Sequence, residues 1–568
     1  MEYTIHIGER DYSQWNLYND NIEIPLPPEC KSLCPIENRL FHCDTFTIHS
    51  DNSINRVLSP VRETNDIYPG ILLLSENMTY GRTENKKKLL YKCIPYNKHL
   101  PVFLVPYEIK LELSKNISNN YVLFKYNHWN DKHPRGELIE TIGPVDTYNA
   151  FEIYQIWCKG LSQSITNYSK YIHSQISKTN ENTLIEIMTN KHTVEDRTDE
   201  YIFSIDNDTT TDYDDAMSIS DILEDGSIRI SIYITNVLVW LQELNGWEKY
   251  ADRVSTIYLP ERKIPMLPSQ LSENLCSLTE KKTRFAFAMD FIINENIIKS
   301  AKINHVKIIV KKNHRYESNE LLKNLKYKRL LQETIKLDAN VKDSHEVVAY
   351  WMIKMNVEIG NLLYKNECGI YRTTSLPTIY NTETDYQHPK LDAETERLLY
   401  NLNNHICSEY KVFSTDETFI HSGIGIENYI HFTSPIRRIV DLINQIYLWE
   451  IMGYIPSTEM KAFITHWTSP ITIEKMQEKF VSIRKVQTTC ELVYKSYHED
   501  INKTYIGIVF DVNIHNNKYE YTIYIKELKY LGRVTIEKEI LLRIEIECRI
   551  FVFHEKDTLH KKIVIEII

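Results

Sequence analysis

Five aspartates fall within ten residues, Asp206 to Asp215, in the string YIFSIDNDTTTDYDDAMSIS. Carboxylates held a few ångströms apart raise one another's pKa and cannot all stay ionised without a counter-charge. Any fold this chain adopts must therefore bring a cation to this segment. A charge run most often marks a solvated loop, but the flanks argue against that here. Ile202, Phe203 and Ile205 lead in and Ala216, Met217 and Ile219 follow, so the acids sit between two strand-like apolar stretches that read as partly buried. A calcium loop of the EF-hand type fails on spacing. Counted from Asp206, the sixth position is Thr211 rather than Gly and the twelfth is Met217 rather than Glu. Oxygen donors with no neighbouring His or Cys favour Mg²⁺ or Mn²⁺ over zinc, and such ions commonly serve phosphate chemistry.

A second string, HFTSPIRRIVDLINQ from His431, reads as the start of a helix. Pro435 suits the first helical position and Ser434 or Thr433 the cap. Ile436, Ile439, Val440, Ile443 and Tyr447 recur at helical spacing as a buried face. Arg437 then falls in the first turn, where free amides and the positive end of the helix dipole favour an anion and a guanidinium adds a fork for phosphate oxygens. Arg438 and Asp441 stand at i, i+3 and are expected to pair within the helix. Arg437 is thus the arginine expected to act on a ligand, and Arg438 the structural one.

Taken together, these strings resemble the ribonuclease II/ribonuclease R (RNB) exoribonucleases. Asp206, with Asp212, Asp214 and Asp215 six, eight and nine residues on, matches the family's aspartate motif, and Asp208 lies off it as an extra surface acid. STIYLPERKIPMLPSQLSENLCSLT from Ser255 looks like the family stretch that ends in a Leu-Cys-Ser-Leu core turn. The resemblance implies that Asp206, Asp212, Asp214 and Asp215 bind metal, two Mg²⁺ ions in all. Loss of Asp214 is expected to abolish cleavage while RNA still binds. Arg437 would contact the scissile phosphate and stabilise charge in the transition state. Tyr258 would position the terminal nucleotide, with Tyr316 a second stacking residue and Tyr371 and Arg372 along the RNA path. Departures are visible: Tyr-Ile-Thr-Asn-Val at Tyr233–Val237 replaces the family's His-Ile-Ala-Asp-Val, Ile439 stands where a tyrosine is usual, and Gln445-Ile446 replaces His-Arg.

The expected architecture is α+β and multidomain, with the resemblance strong between 200 and 445 and looser at both ends. Residues 1–64, with NRLFHCDTFTI from Asn38, resemble a cold-shock OB barrel in which Leu40 and Cys43 depart from the pattern; a zinc cluster of Cys30, Cys34, His42 and Cys43 is disfavoured because the barrel motif already explains His42 and Cys43. Residues 65–146 resemble a second such barrel, closest to the exosome-associated eukaryotic branch. Residues 147–498 read as linker helices followed by the α/β RNB catalytic domain. The alternating run TYIGIVFDVNIHNNKYEYTIYI opens a C-terminal OB-type barrel over 499–568. No PIN-type endonuclease domain precedes the barrels, so exosome association through one is not expected.

A formal net charge of −11 sits oddly with nucleic-acid binding, but a nuclease needs only a local basic path and its metal-binding acids weigh on the sum. Lysines and arginines cluster at Lys86–Lys88, at Lys281, Lys282 and Arg284, and at Lys311, Lys312 and Arg315. Ten scattered cysteines without CxxC pairs fit reduced thiols. With neither a leader-like start nor an apolar run long enough to span a bilayer, the expectation is a cytoplasmic monomer whose partner is single-stranded RNA and not a membrane. Residue types do not separate RNA from DNA; that choice comes from the resemblance. The competing expectation is a catalytically inactive RNB-like RNA-binding protein, which the complete aspartate pattern disfavours.

Overall fold

The computed structural model describes residues 2–49, 53–76, 78–83, 87–109, 118–374, 395, 408–421, 425–498, 501, 503–515, 518–555 and 561–568. Lys86, the Ser375–Pro377 end of the GIYRTTSLP string and the Asn516–Asn517 turn lie outside them. The chain divides into two compact units. One holds 1–162, 488–539 and 545–568, and the other holds 163–487 and 540–544.

The first unit contains three five-stranded assemblies of OB type. Glu2–Ile7 alternates, with Tyr3, Ile5 and Ile7 buried, and pairs antiparallel with Trp15–Asn19 on one side and Thr45–Ile48 on the other. Ile22–Ile24 and Ile54–Leu58 complete that sheet. Cys43 stands where the OB motif carries glycine and has φ of 64°, the left-handed region that glycine enters freely and a side chain does not. Its neighbour Asp44, fully buried, accepts bonds from Phe41 N at 2.9 Å, Ser59 Oγ at 2.6 Å and Arg62 Nη1 at 2.8 Å, which ties the turn to the following helix.

Strands Tyr68–Leu72, Leu89–Pro95, Phe103–Tyr107, Asn120–His128 and Arg135–Pro144 close into a barrel. Gly70 and Gly136 are required there, since a Cβ on either would come within 2.8 Å of Cys93 Sγ or the Phe124 ring. The third assembly, Tyr505–His515, Lys518–Ile525, Tyr530–Ile536, Glu545–His554 and Lys561–Ile567, is antiparallel throughout.

In the second unit a mixed sheet carries the aspartates. Ile202–Asp206 runs parallel to the long strand Ile297–Arg315 and antiparallel to Asp215–Ile219. Ile228–Thr235 and Thr283–Asn294 follow, and Thr283–Asn294 pairs back onto Ile297–Arg315, so the ladder returns on itself. Inside it pack Ile202, Ala216, Tyr233, Ala286, Val306 and Val310. Helices Leu325–Leu337 and Ser344–Lys365 start at side-chain caps from Asn324 and Asp343. Gly360, inside the second of these, lets the Asn428 carbonyl approach, for a Cβ there would lie 2.0 Å from that oxygen. The region 147–190, expected to be helical, forms the helices Tyr148–Cys158, Thr166–Ile176 and Glu181–Lys191, and the helix before the C-terminal strands runs Pro470–His498. No helix among the described residues is long and apolar enough to cross a membrane.

One expected boundary is corrected. The helix of the HFTSP string is Ile439–Ile451, not a helix beginning at Pro435. Residues 435–437 form a turn, and Arg438 is extended, with φ −145° and ψ 123°, bridging to Ser255. The helix is also buried nearly all round rather than on one face: Leu442, Asn444, Gln445, Ile446 and Leu448 are enclosed along with the expected Ile439, Val440 and Ile443.

Candidate active site

Asp206 ends one strand and Asp215 begins the next, so the loop between them is pinned at both ends by the sheet. The Leu-Cys-Ser-Leu turn holds its middle. Tyr213 N donates to Ser277 Oγ at 3.0 Å, Ser277 Oγ donates to Thr211 O at 3.2 Å, and Leu278 N donates to Tyr213 O at 2.9 Å. These bonds aim Asp206, Asp212, Asp214 and Asp215 into one cavity of about 920 Å³, whose walls also include Tyr258, Lys263, Tyr316, His431 and Arg437. Val348, Ala349, Met352 and Ile353 of the Ser344–Lys365 helix make one wall apolar. Asp208, expected to lie off the motif, is exposed beside Arg315 at 3.5 Å.

The four carboxylates divide into two pairs. Asp214 Oδ1 accepts from Ile436 N at 2.9 Å and Oδ2 from Arg437 Nε at 3.0 Å. Asp212 Oδ2 accepts from the Tyr258 hydroxyl at 3.1 Å and Oδ1 from Lys263 Nζ at 2.9 Å. By contrast, Asp206 Oδ2 and Asp215 Oδ2 are buried with no hydrogen-bond partner among the described residues, a costly state for a carboxylate. Burial pushes the Asp206 carboxyl up to about 6 and that of Asp214 up to about 7, where Arg437 pulls the other way. Asp215 is driven well above the usual carboxylate range by burial, with the charges of Asp206 and Asp214 adding to it.

All the donors are hard oxygens, and two of them are buried without partners, so the site fits a hard divalent cation held by Asp206 and Asp215. No cluster of three His, Cys, Asp or Glu side chains among the described residues forms a ready-made chelate; Asp212 and Asp214 are each engaged by a cationic side chain.

Arg437 lines the same cavity. Besides Asp214 it donates from Nη2 to Ser434 Oγ at 3.0 Å, and its side chain is 47 % exposed, which leaves guanidinium surface for a ligand. The turn that carries it is stitched by two buried aspartates. Asp214 takes the Ile436 amide and Asp441 takes the Ser434 amide at 2.8 Å, so these amides are not free for a phosphate as a helix start at Pro435 would have made them. Arg438 pairs with Asp441 through Nη2 at 2.9 Å and through Nε, as the i, i+3 spacing predicts.

The aromatic candidates separate. Tyr258 is 40 % exposed at the cavity. Tyr316 also lines it, with its ring stacked on His345 at 3.8 Å and its amide bonded to Asp206 O at 3.0 Å. Tyr371 is corrected: it is fully buried, stacked on Phe419 at 4.2 Å with its hydroxyl on Cys368 O, a core residue. Arg372 does not line the cavity; its guanidinium lies 4.6 Å from the Tyr410 ring and its amide bonds to the O of Tyr429, a wall residue. Arg284, expected in a basic cluster, is 1 % exposed and bonded to Glu181 and Asn274, a structural role. Lys311 donates to Thr198 O and Lys312 faces Glu280 and Glu320.

The sequence reading missed Lys263, Asn356 and His431. His431 accepts or donates at Nδ1 to the Tyr410 hydroxyl at 2.7 Å, and burial beside Arg438 and Arg372 keeps it neutral. Asn356 bridges Tyr429 and Phe432 N. Neither carries a local sequence signal, since the partners of each come from distant segments of the chain.

Residues 194–330 and 307–454 match the RNB domain family. Ribonuclease R of Chlamydia pneumoniae is 23% identical over 417 residues, covering 62% of this chain and 61% of that protein. Ribonuclease R of Ureaplasma parvum is 23% identical over 511 residues, covering 73% and 68%, and the human exosome complex exonuclease RRP44 is 23% identical over 442 residues, covering 64% and 44%. The first curated relatives are matched over about half to three fifths of their own length. Among solved structures, the apo form of Mycoplasma genitalium RNase R is similar with a TM-score of 0.67 at 16% identity, each chain covered in full. Yeast Ssd1, described as a pseudonuclease, has a TM-score of 0.58 at 13% identity, with 97% of this chain and 81% of that one covered. Such likenesses speak to the fold, an α+β multidomain arrangement of OB barrels and an RNB domain.

Proposed function

We propose that the chain, whose residues 194–330 and 307–454 match the RNB domain family, is a 3′-to-5′ exoribonuclease of the ribonuclease II/ribonuclease R type, hydrolysing single-stranded RNA to 5′-mononucleotides. The observation that carries this reading is the complete set of four aspartates lining one cavity together with Arg437. The fold alone does not carry it, because a protein described as a pseudonuclease shares that fold.

Asp206 and Asp215 would hold Mg²⁺ or Mn²⁺, and the two-Mg²⁺ arrangement that the resemblance implies would require Asp212 and Asp214 to give up their present partners Lys263 and Arg437. Bound there, divalent cations supply charge neutralisation and Lewis acidity at the scissile phosphate. Arg437 sits on the far side of Asp214 and offers its exposed guanidinium edge to the phosphate oxygens, so that charge developing in the transition state meets a fixed donor. Asp214 holds both that guanidinium and the turn beneath it, and from the resemblance its loss is expected to abolish cleavage while RNA still binds. Tyr258 and Tyr316 offer ring faces to the terminal bases, and the apolar wall of Val348 and Met352 sheds water from them. Residues 1–64, 65–146 and 499–568 are assigned as RNA-guiding OB domains that precede and follow in sequence a catalytic region of 147–498, in a monomer acting in the cytoplasm.

The test incubates the wild type and Asp214→Asn with 5′-labelled unstructured RNA of about 30 nucleotides, with Mg²⁺ or with chelator. Label passing from full length into a short end product, only for wild type with metal, supports the assignment. Retarded but intact RNA for both proteins points instead to the inactive RNA-binding alternative.

A further inference from the structure

Tyr258 and Lys263 stand directly opposite one another in the small antiparallel pair Ile257–Tyr258 and Lys263–Ile264. From that shared position they close on one carboxylate, Tyr258 on Asp212 Oδ2 at 3.1 Å and Lys263 on Oδ1 at 2.9 Å. The same ammonium reaches Glu273 at 2.7 Å and bonds to Thr211 Oγ1, so three acceptors meet its three N–H donors. The Lys263 side chain is only 22 % exposed. This is a positioned charge rather than a solvated surface lysine, whose ammonium would keep its rotational freedom and its water.

The charge count gives that position meaning. Asp206, Asp212, Asp214 and Asp215 face two cationic side chains, Arg437 on Asp214 and Lys263 on Asp212. Against the four aspartates alone this leaves two formal negative charges, the charge of one divalent ion, and Glu273, which shares the Lys263 ammonium, adds a third at the more exposed rim. The carboxylates left over are Asp206 and Asp215, the same two whose buried oxygens lack partners. A second divalent ion at Asp212 would have to displace the ammonium or sit beside it as a like charge.

We infer that Lys263 is a built-in cation for Asp212, so that the aspartate cluster takes up one divalent ion, at Asp206 and Asp215, instead of two. The inference rests on the reading that this cluster holds a divalent cation at all. Lys263 is then a positioning residue: it fixes Asp212, and through it the Tyr258 hydroxyl, without an ion.

The experiment counts ions without RNA. Full-length protein stripped with chelator is titrated with Mn²⁺, and free Mn²⁺ is followed by electron paramagnetic resonance for wild type, Lys263→Arg and Lys263→Gln, each checked by its melting curve. The expected result is one tightly bound Mn²⁺ for wild type and Lys263→Arg, and two for Lys263→Gln. Lys263→Met removes the same charge should the glutamine variant melt early. Two ions in wild type, or one in both charge-removing variants, overturns the inference while leaving the cation site standing. No bound ion in any of the proteins sinks the cation reading itself.

Discussion

Replacing Asp441 by asparagine measures how much of the site depends on a carboxylate that faces no ligand. Asp441 is fully buried and accepts three bonds: one from Ser434 N at 2.8 Å and two from Arg438, of which the Nη2 contact is 2.9 Å. Asparagine keeps the shape and the Ser434 bond but turns an amide donor toward the guanidinium. Removing one partner of a buried ion pair costs about 3–5 kcal/mol, because the other charge stays behind unpaired. Arg438 retains 23 % exposure, so part of its charge recovers hydration, and the lower end, about 3 kcal/mol, is expected for Asp441→Asn. Arg438→Met strands a carboxylate with no exposure and belongs at the upper end, about 5 kcal/mol. The double variant leaves no unpaired charge and should cost about 2 kcal/mol, far below the sum of the singles. Urea unfolding followed by tryptophan fluorescence is suited to this, since five of the eight tryptophans, Trp240, Trp247, Trp351, Trp449 and Trp467, lie in the unit that holds the pair. Cleavage should fall in both single variants as well, because Ser434 also carries the Arg437 contact. Additive losses in the double variant, or a cost below about 1 kcal/mol for Asp441→Asn, would refute the picture of a buried pair stitching this turn.

His305 provides a pH test in the same unit. Buried among Phe285, Phe287, Trp449 and Tyr454, its imidazole is pushed down to about 3, so the folded chain holds it neutral. Unfolded histidine titrates near about 6.5. The unfolded state therefore binds the proton first, and the stability His305 contributes is full above about pH 6.5 and is lost as pH falls toward 3, with a slope of at most about 1.4 kcal/mol per pH unit. Urea midpoints at pH 7, 6 and 5 should fall less steeply for His305→Phe than for wild type, and equal slopes would count against the assignment. Gly360→Ala should reverse the usual helix preference. Alanine in place of a helical glycine ordinarily stabilises by about 0.5–1 kcal/mol, but here the new Cβ would meet the Asn428 carbonyl at 2.0 Å, and a loss of about 2 kcal/mol or more is expected. The melting temperature should drop, and because the same helix supplies the apolar wall of the cavity, cleavage should drop with it.

What could be read in the sequence was whatever a single string encodes. The aspartate spacing, the strands on either side of it, the Arg438–Asp441 pair and the OB segments all involve residues a few positions apart, and all appear in the structure. The start of the helix after Pro435 failed for a tertiary reason. Pro435 and Ser434 favour helix locally, but Asp214 and Asp441 arrive from elsewhere and take the amides, holding residues 435–437 as a turn and Arg438 as extended chain. Tyr371 and Arg372 were placed on the RNA path together by the likeness of their string, yet the strand Ile370–Thr374 is buried on both faces and only Arg372 is part-exposed, which puts Tyr371 in the core. Lys263 was invisible because its partner Asp212 lies 51 residues away, and only the pairing of Ile257–Tyr258 with Lys263–Ile264 brings the ammonium to it.

The departures from the family pattern gain a physical account once their contacts are known. Two of them, the Tyr233–Val237 strand end and Gln445, lie about two hundred residues apart yet meet: Gln445 Nε2 donates to Thr235 O at 2.8 Å. Thr235 in turn donates from its amide to Asp214 O at 2.9 Å and from its hydroxyl to Cys276 O, so one residue joins the aspartate loop, the Leu-Cys-Ser-Leu turn and the Ile439–Ile451 helix. Asn236, where the family has aspartate, caps the Val237–Glu243 helix through Leu238 N. An aspartate in that fully buried position would have added a further acid to the strand end whose Thr235 amide holds the Asp214 backbone. The Tyr233–Val237 strand end and Gln445 thus brace the aspartate loop through neutral hydrogen bonds from behind the cavity, while the four aspartates that line it are kept.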